Sequence, residues 1–126
     1  MTTVLVVDDE PLIALALEAA LEDAGYGVAT AANGRQGLER LAEEPRPDLV
    51  LLDMMMPVMN GPAMLAAMAA DPALRGIPVI VLSSLPEEAI RDRARDVATI
   101  LCKPYTAEQV LDAIVRVLGV PREAGT

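Results

Sequence analysis

The chain contains no histidine, phenylalanine or tryptophan, and only two tyrosines, one cysteine and one lysine. With aromatics at 2%, the core has to be built from Leu, Val, Ile, Ala and Met, and a planar cofactor has little to stack on. Basic residues are scarce as well. The formal net charge is −9, and phosphate backbones are bound through clustered Lys and Arg, so the composition argues against a nucleic-acid surface. Cys102 cannot form an internal disulfide, stands without metal-ligand spacing, fits a reducing compartment and reads as a small buried strand residue. No apolar run approaches the roughly 20 residues needed to span a bilayer, and no basic stretch leads into a signal-type segment. The expected location is the cytoplasm, with no membrane contact.

What the chain does have is apolar material: 53% of its 126 residues are hydrophobic, enough for one domain with a buried core. Thr3–Val7 is a β-branched apolar run suited to a strand buried on both faces, and it stops at Asp8-Asp9-Glu10. Pro11 fits a first helical turn, Ile13, Leu17, Leu21 and Ala24 recur at helical spacing, and Gly25 offers a left-handed cap. The alternation then repeats. Gly27–Ala31 reads as a weaker strand, and Asn33-Gly34 opens a helix with Leu38, Leu41 and Ala42 inward before Pro45 and Pro47. Residues 48–52 form a third strand, followed by a helix capped by Asn60 that buries Met64, Leu65 and Met68. Residues 77–82 form a fourth strand, and 86–97 a helix with a thin stripe of Ile90, Ala94 and Val97. Thr99–Cys102 is the fifth strand, and Thr106 caps a last helix whose stripe of Val110, Leu111, Ile114, Val117 and Leu118 ends at Gly119. Five such alternations specify an α/β fold, a doubly wound five-stranded parallel sheet with five helices on its two faces. Residues 1–120 make the domain and 121–126 a short tail.

Ligands of such sheets bind beyond the carboxyl ends of the strands. Those ends carry Asp8 and Asp9, Asp53, Ser83 and Lys103. Three crowded carboxylates repel one another and need either raised pKa values or a divalent cation; an all-oxygen site completed by water suits Mg²⁺. A metal held by Asp8, Asp9 and Asp53, with a backbone carbonyl from Met55, would neutralise the pocket and leave a carboxylate to attack a phosphoryl group in line. Lys103 would supply a fixed cation. It is the only lysine in the chain, although taken alone one lysine at a strand end is equally compatible with chance. Ser83 offers a hydroxyl to a phosphoryl oxygen and is also an ordinary turn former.

Together these residues resemble the receiver domain of bacterial two-component response regulators. The resemblance rests on Val7-Asp8-Asp9-Glu10-Pro11, on the Leu-Asp-x-x-Met-Pro-x-x-x-Gly of residues 52–61, on the strand ending in Ser83, and on Lys103-Pro104-Tyr105; it spans essentially the whole chain. It implies a flavodoxin-like sheet with strand order 2-1-3-4-5. It also implies that Asp53 is phosphorylated by a histidine kinase or histidine phosphotransfer protein, that Asp8 and Asp9 bind Mg²⁺, and that Lys103 contacts the phosphoryl group. Pro104 would follow a cis peptide bond, and Ser83 would be the switch hydroxyl, moving Ser84, Leu85 and Pro86 with it. A downstream protein would bind the face formed by the helix over 86–97, the fifth strand and the last helix, where Arg91, Arg95, Tyr105 and Val115 are expected to be exposed. As a receiver the chain would not be an enzyme, beyond assisting its own phosphorylation and dephosphorylation.

Two departures from the family pattern stand out. The family usually places Tyr or Phe three residues before the lysine, where this chain has Ile100. Met55 and Leu85 are apolar where fast-resetting members carry groups that orient attacking water, so slow loss of phosphate is expected. Because the chain closes soon after its last helix, a stand-alone phosphoacceptor or relay intermediate is the leading expectation, and a receiver belonging to a hybrid kinase the alternative. A phosphatase with Asp53 as nucleophile would need another acid close behind, and Met54-Met55-Met56 provides none. A flavin carrier would need a phosphate-cradling Gly, Ser and Thr loop after the first strand, where Asp8-Asp9 would repel the phosphate.

Overall fold

Successive side chains of a strand point to opposite faces, so a strand that is apolar at every position must be covered on both sides. The computed structural model, which describes residues 2–86, 88 and 97–119, meets that requirement with two separate cores. Its elements are β1 (Thr3–Val7), α1 (Pro11–Asp23), β2 (Gly27–Ala31), α2 (Gly34–Leu41), β3 (Leu49–Asp53), α3 (Gly61–Ala70), β4 (Val79–Ser83), β5 (Thr99–Cys102) and α4 (Ala107–Leu118). All strand pairs are parallel, in the order β2-β1-β3-β4-β5, as expected. The helix expected over 86–97, with Arg91 and Arg95, and the tail 121–126 lie outside the described residues, apart from 86, 88 and 97. No helix among the described residues is long and apolar enough to cross a membrane.

The central strands supply both cores. Leu5, Val7, Val50, Leu52, Val79 and Val81 face one side, where Leu41 of α2 and Met64 and Met68 of α3 cover them. Val4, Val6, Leu49, Leu51, Ile80 and Leu82 face the other, against Leu17 and Leu21 of α1 and Val110 and Ile114 of α4. Burying each such side chain stabilises the fold by roughly 1.5–3 kcal/mol, so the three inner strands hold their ends firmly. The outer strands β2 and β5 are only partly buried. Cys102, the last residue of β5, is therefore exposed and not the buried strand residue that its type suggests.

Helix starts follow the side chains available. Asn33 and Asn60 each accept a hydrogen bond from the N–H three residues on, at 2.9 Å. Thr106 and Gln109 form a reciprocal capping box at 3.1 and 2.8 Å. Ala24 and Ala42, expected to face inward, are exposed because each lies one residue past its helix, where the covering layer has ended. Strand bounds also move: β3 includes Asp53 and β4 includes Ser83, since both residues still pair with their neighbours.

Gly61 marks the tightest approach near the strand ends. A Cβ there would lie 2.7 Å from Met54 Cα and 2.9 Å from the Asp53 carbonyl oxygen, both backbone atoms of the segment that carries Asp53. Gly61→Ala is expected to lower stability by about 1–3 kcal/mol in denaturant unfolding. Gly76→Ala, where a Cβ meets nothing within 4 Å, should stay within about 0.5 kcal/mol of the parent.

Candidate functional site

Register decides which strand ends meet. Val7 lies opposite Leu52, so Asp8 emerges beside Asp53. Asp53 lies opposite Leu82, and Ser83 opposite Cys102, which brings Lys103 to the same edge. The Lys103 N–H donates to the Ser83 carbonyl at 2.6 Å. Asp8, Asp9 and Asp53 each place a carboxylate oxygen within 4.8 Å of the others.

A shared local device aims three of these side chains. Asp53 and Ser83 end their strands, Asp8 directly follows β1, and each accepts a hydrogen bond from the N–H two residues on: Glu10 to Asp8 Oδ1 at 2.9 Å, Met55 to Asp53 Oδ1 at 3.4 Å, and Leu85 to Ser83 Oγ at 2.9 Å. Such side-chain turns are what Asp and Ser offer at the end of a strand. Lys103 Nζ adds a contact of 3.3 Å, also to Asp53 Oδ1. These two bonds to Asp53 thus converge on one oxygen, Oδ1.

The pocket is electrostatically uneasy. Asp8 and Asp53 are 2% and 4% exposed, and Asp9 is exposed. Burial pushes the Asp8 carboxyl above its ordinary 3.8; the Glu10 N–H opposes the shift, and the charges of Asp53 and Asp9 add to it. Asp53 is raised by burial too, against the pull of Lys103 and the Met55 N–H. Asp8 Oδ2 is buried with no hydrogen-bond partner. An all-oxygen donor set, an orphaned buried carboxylate oxygen and raised carboxyl pKa values are together the features a hard divalent cation fits.

The other expected site residues fall into place unevenly. Met55 enters through its backbone N–H, while its side chain is 66% exposed. With Leu85 it lines an open cleft of about 470 Å³ above Asp9. The Ser83 hydroxyl donates to the Leu85 carbonyl at 3.3 Å and makes no bond to Asp53, so in this structure it is latched to the loop. Ser84 is exposed, and the Lys103–Pro104 peptide bond is cis, as is Glu44–Pro45, which the sequence did not suggest. Ile100 packs partly buried against the core on the α2 and α3 face. Val115 is exposed as expected. Tyr105 is not: it is half-buried, lines a cleft with Leu12, Ile13 and Ala16 of α1, and its hydroxyl is fully covered. The i+2 turns at Asp8 and Asp53 were legible as a residue type at a strand end, but the inward Tyr105 left no mark in the sequence.

Comparisons with known proteins agree with this geometry. The model of the response regulator receiver domain matches residues 4–115. PilH of Pseudomonas aeruginosa is 37% identical over 124 residues, covering 94% of this chain and 99% of PilH. The chain spans about half the length of several other curated relatives named as transcriptional regulatory proteins. Among solved structures, chemotaxis protein CheY4 of Vibrio cholerae superposes with a TM-score of 0.87 at 32% identity, over 94% of this chain and 99% of that one. TrrA of Thermotoga maritima, solved in complex with Mg²⁺-BeF, gives 0.83 at 25% identity, over 94% and 100%. Proteins of this kind accept a phosphoryl group, bind Mg²⁺ at an acidic pocket and interact with histidine kinases and downstream targets. The sheet, the acidic strand ends and the match along nearly the whole length lead to one conclusion: this chain belongs to the response regulator receiver domain family.

Proposed function

We propose that Asp53 is the phosphoacceptor and that Asp8, Asp9 and Lys103 exist to make its carboxylate reactive. The observation that carries this reading is the ion pair of Lys103 Nζ with Asp53 Oδ1 at 3.3 Å, inside a cluster of three carboxylates. The reaction follows from the atoms. Asp53 Oδ2 attacks the phosphorus of a phosphorylated imidazole on the donor protein, the P–N bond breaks with its electron pair returning to the ring nitrogen, and an acyl phosphate forms on Asp53. Lys103 stays beside the charge that develops on the phosphoryl oxygens. Asp8 and Asp9, with Asp53 and the Met55 carbonyl, would hold Mg²⁺, which supplies neutralisation of the pocket and polarisation of the phosphoryl oxygens when bound.

Phosphorylation adds a charge of roughly −1.5 to −2. The Ser83 hydroxyl, released from Leu85, would donate to the new oxygens, and Ser84, Leu85 and Ile100 would follow. The reading includes a cytoplasmic protein, with residues 1–120 as the receiver and 121–126 as its tail, that signals by binding a protein or passing its phosphate on. The proposed output face comprises β5, α4 with exposed Val115, and the segment before β5; Tyr105, expected there, is half-buried with its hydroxyl covered.

Three outcomes are expected. Incubation with Mg²⁺ and a small phosphodonor should add one phosphoryl group by intact mass, none to Asp53→Asn; the label should decay over minutes or longer, because Met55 and Leu85 give water no hydrogen-bonding guide. On NMR, phosphorylation should shift amide resonances in β5 and α4, and spectra unchanged there would remove the proposed output face. The third concerns pH. A folded-state carboxyl pKa raised above 3.8 favours folding at low pH, and that advantage is lost as pH climbs through the folded value. At neutral pH without Mg²⁺ the wild type carries the full penalty. Asp8→Asn keeps the turn to Glu10 but removes the charge, so it should raise stability by on the order of 1 kcal/mol at pH 7 in metal-free thermal unfolding. The gain should shrink as pH falls toward 4, and a loss of stability at pH 7 would contradict the raised pKa.

A further inference from the structure

Six of the seven methionines lie among the described residues, and five of those serve the packing. Met54, Met64 and Met68 are buried, and Met56 and Met59 lie partly buried against the same core. Two of the sulfurs are enclosed where the chain is tightest: a Cβ on Gly61 would come within 2.8 Å of Met54 Sδ, and one on Gly37 within 2.9 Å of Met64 Sδ. Met55 is the exception. It is 66% exposed and belongs to neither core, although methionines that do pack stand on both sides of it in the chain.

That side chain stands beside the acidic site. The Met55 N–H donates to Asp53 Oδ1 at 3.4 Å, so the side chain branches from backbone already bonded to the proposed acceptor. It lines one open cleft of about 470 Å³ with Asp9 and Leu85, and Asp9 places a carboxylate oxygen within 4.8 Å of one on Asp53. Solvent in this cleft therefore meets a thioether, a weak hydrogen-bond acceptor, and the alkyl side chain of Leu85. Oxidation would change that chemistry at one atom. A sulfoxide keeps the length of the methionine side chain and adds a polar S–O oxygen.

We propose that the Met55 thioether is a reversible oxidation site through which a peroxide shortens the life of the phosphoryl group on Asp53. In the oxidation a sulfur lone pair attacks one peroxide oxygen, the S–O bond forms as the O–O bond breaks, and the departing hydroxide takes the remaining proton and leaves as water. Sulfur loses two electrons and the peroxide gains them. The reverse step takes two electrons from thiols, the chemistry of methionine sulfoxide reductases, and releases the oxygen as water. With the sulfoxide oxygen in the cleft, attacking water gains an acceptor that directs it toward phosphorus, the guide that the thioether and Leu85 withhold. Burial protects Met54, Met64 and Met68, so the fold itself selects the site. The inference rests on the reading of Asp53 as the phosphoacceptor.

The test applies dilute hydrogen peroxide to wild type, to Met55→Leu and to Met56→Leu, whose side chain lines the same cleft. Each is repeated with Cys102→Ala, because the exposed thiol consumes the same oxidant. Fragment-ion mass spectrometry locates the added oxygen and thermal unfolding confirms that each sample is folded. The proteins are then phosphorylated with Mg²⁺ and a small phosphodonor, and loss of the phosphoryl group is followed by intact mass. The first oxygen is expected on Met55, ahead of Met54, Met64 and Met68. Peroxide should shorten the phosphoryl lifetime roughly threefold or more in wild type and Met56→Leu but not in Met55→Leu, and methionine sulfoxide reductase should restore it. If the buried methionines oxidise as readily as Met55, if the Met55 sulfoxide leaves the lifetime unchanged, or if Met55→Leu responds as wild type does, the coupling is refuted while the acceptor reading stands. If wild type takes up no phosphoryl group at Asp53, that reading falls and the coupling with it.

Discussion

Three carboxylates held within 4.8 Å of one another are the constraint on which the rest of this structure depends. Nothing about their mutual energy favours the arrangement, so the sheet must impose it. It does so through β1 and β3, which are neighbours with every side chain of their paired stretch buried, and whose register sets Asp8 beside Asp53. A one-residue slip would turn both apolar sets to the wrong faces, so the two cores together forbid the carboxylates from drifting apart. The repulsion is therefore stored where relief by a cation or by Lys103 counts most. Stability of the scaffold and reactivity of the site are two aspects of one arrangement.

The same edge contains a latch of low strength. Ser83 exchanges two hydrogen bonds with the Leu85 backbone, and the Cys102 thiol also leans on the Leu85 carbonyl, at 3.8 Å. A neutral hydrogen bond contributes roughly 0.5–1.5 kcal/mol net, whereas one to a charged group contributes roughly 1.5–3. A phosphoryl group on Asp53 would therefore outbid the Leu85 carbonyl for the Ser83 proton. In the proposed reading the change would pass to β5, a half-buried strand at the sheet edge and so less costly to shift than β1, β3 or β4. With Ile100 partly buried on β5, packing rather than an aromatic rotation would carry the proposed change.

Unbroken apolar runs such as Leu49 to Leu52 made the sheet legible from the chain alone, because strands buried on both faces have one packing solution in an α/β fold. Strand-end carboxylates followed from it. The misreadings share a cause: Ala24, Ala42 and Cys102 are residue types that are usually buried, placed where a covering layer happens to stop, and the position of that edge is tertiary information. The placement of Tyr105 is tertiary as well. How far an aromatic after Lys103-Pro104 is covered depends on how close α1 lies, and that is fixed only when the helix packs on the sheet. Orphaned atoms such as Asp8 Oδ2 are likewise visible only once every donor has been located.

Chemical identification of the acceptor tests the central claim most directly. Borohydride reduces an aspartyl phosphate to homoserine, so the phosphorylated protein can be reduced, digested and read by peptide mass spectrometry. Homoserine at position 53 alone is the expected product. Homoserine at position 8 or 9, or its absence from a protein that carries the phosphoryl group, would contradict a site organised around Asp53.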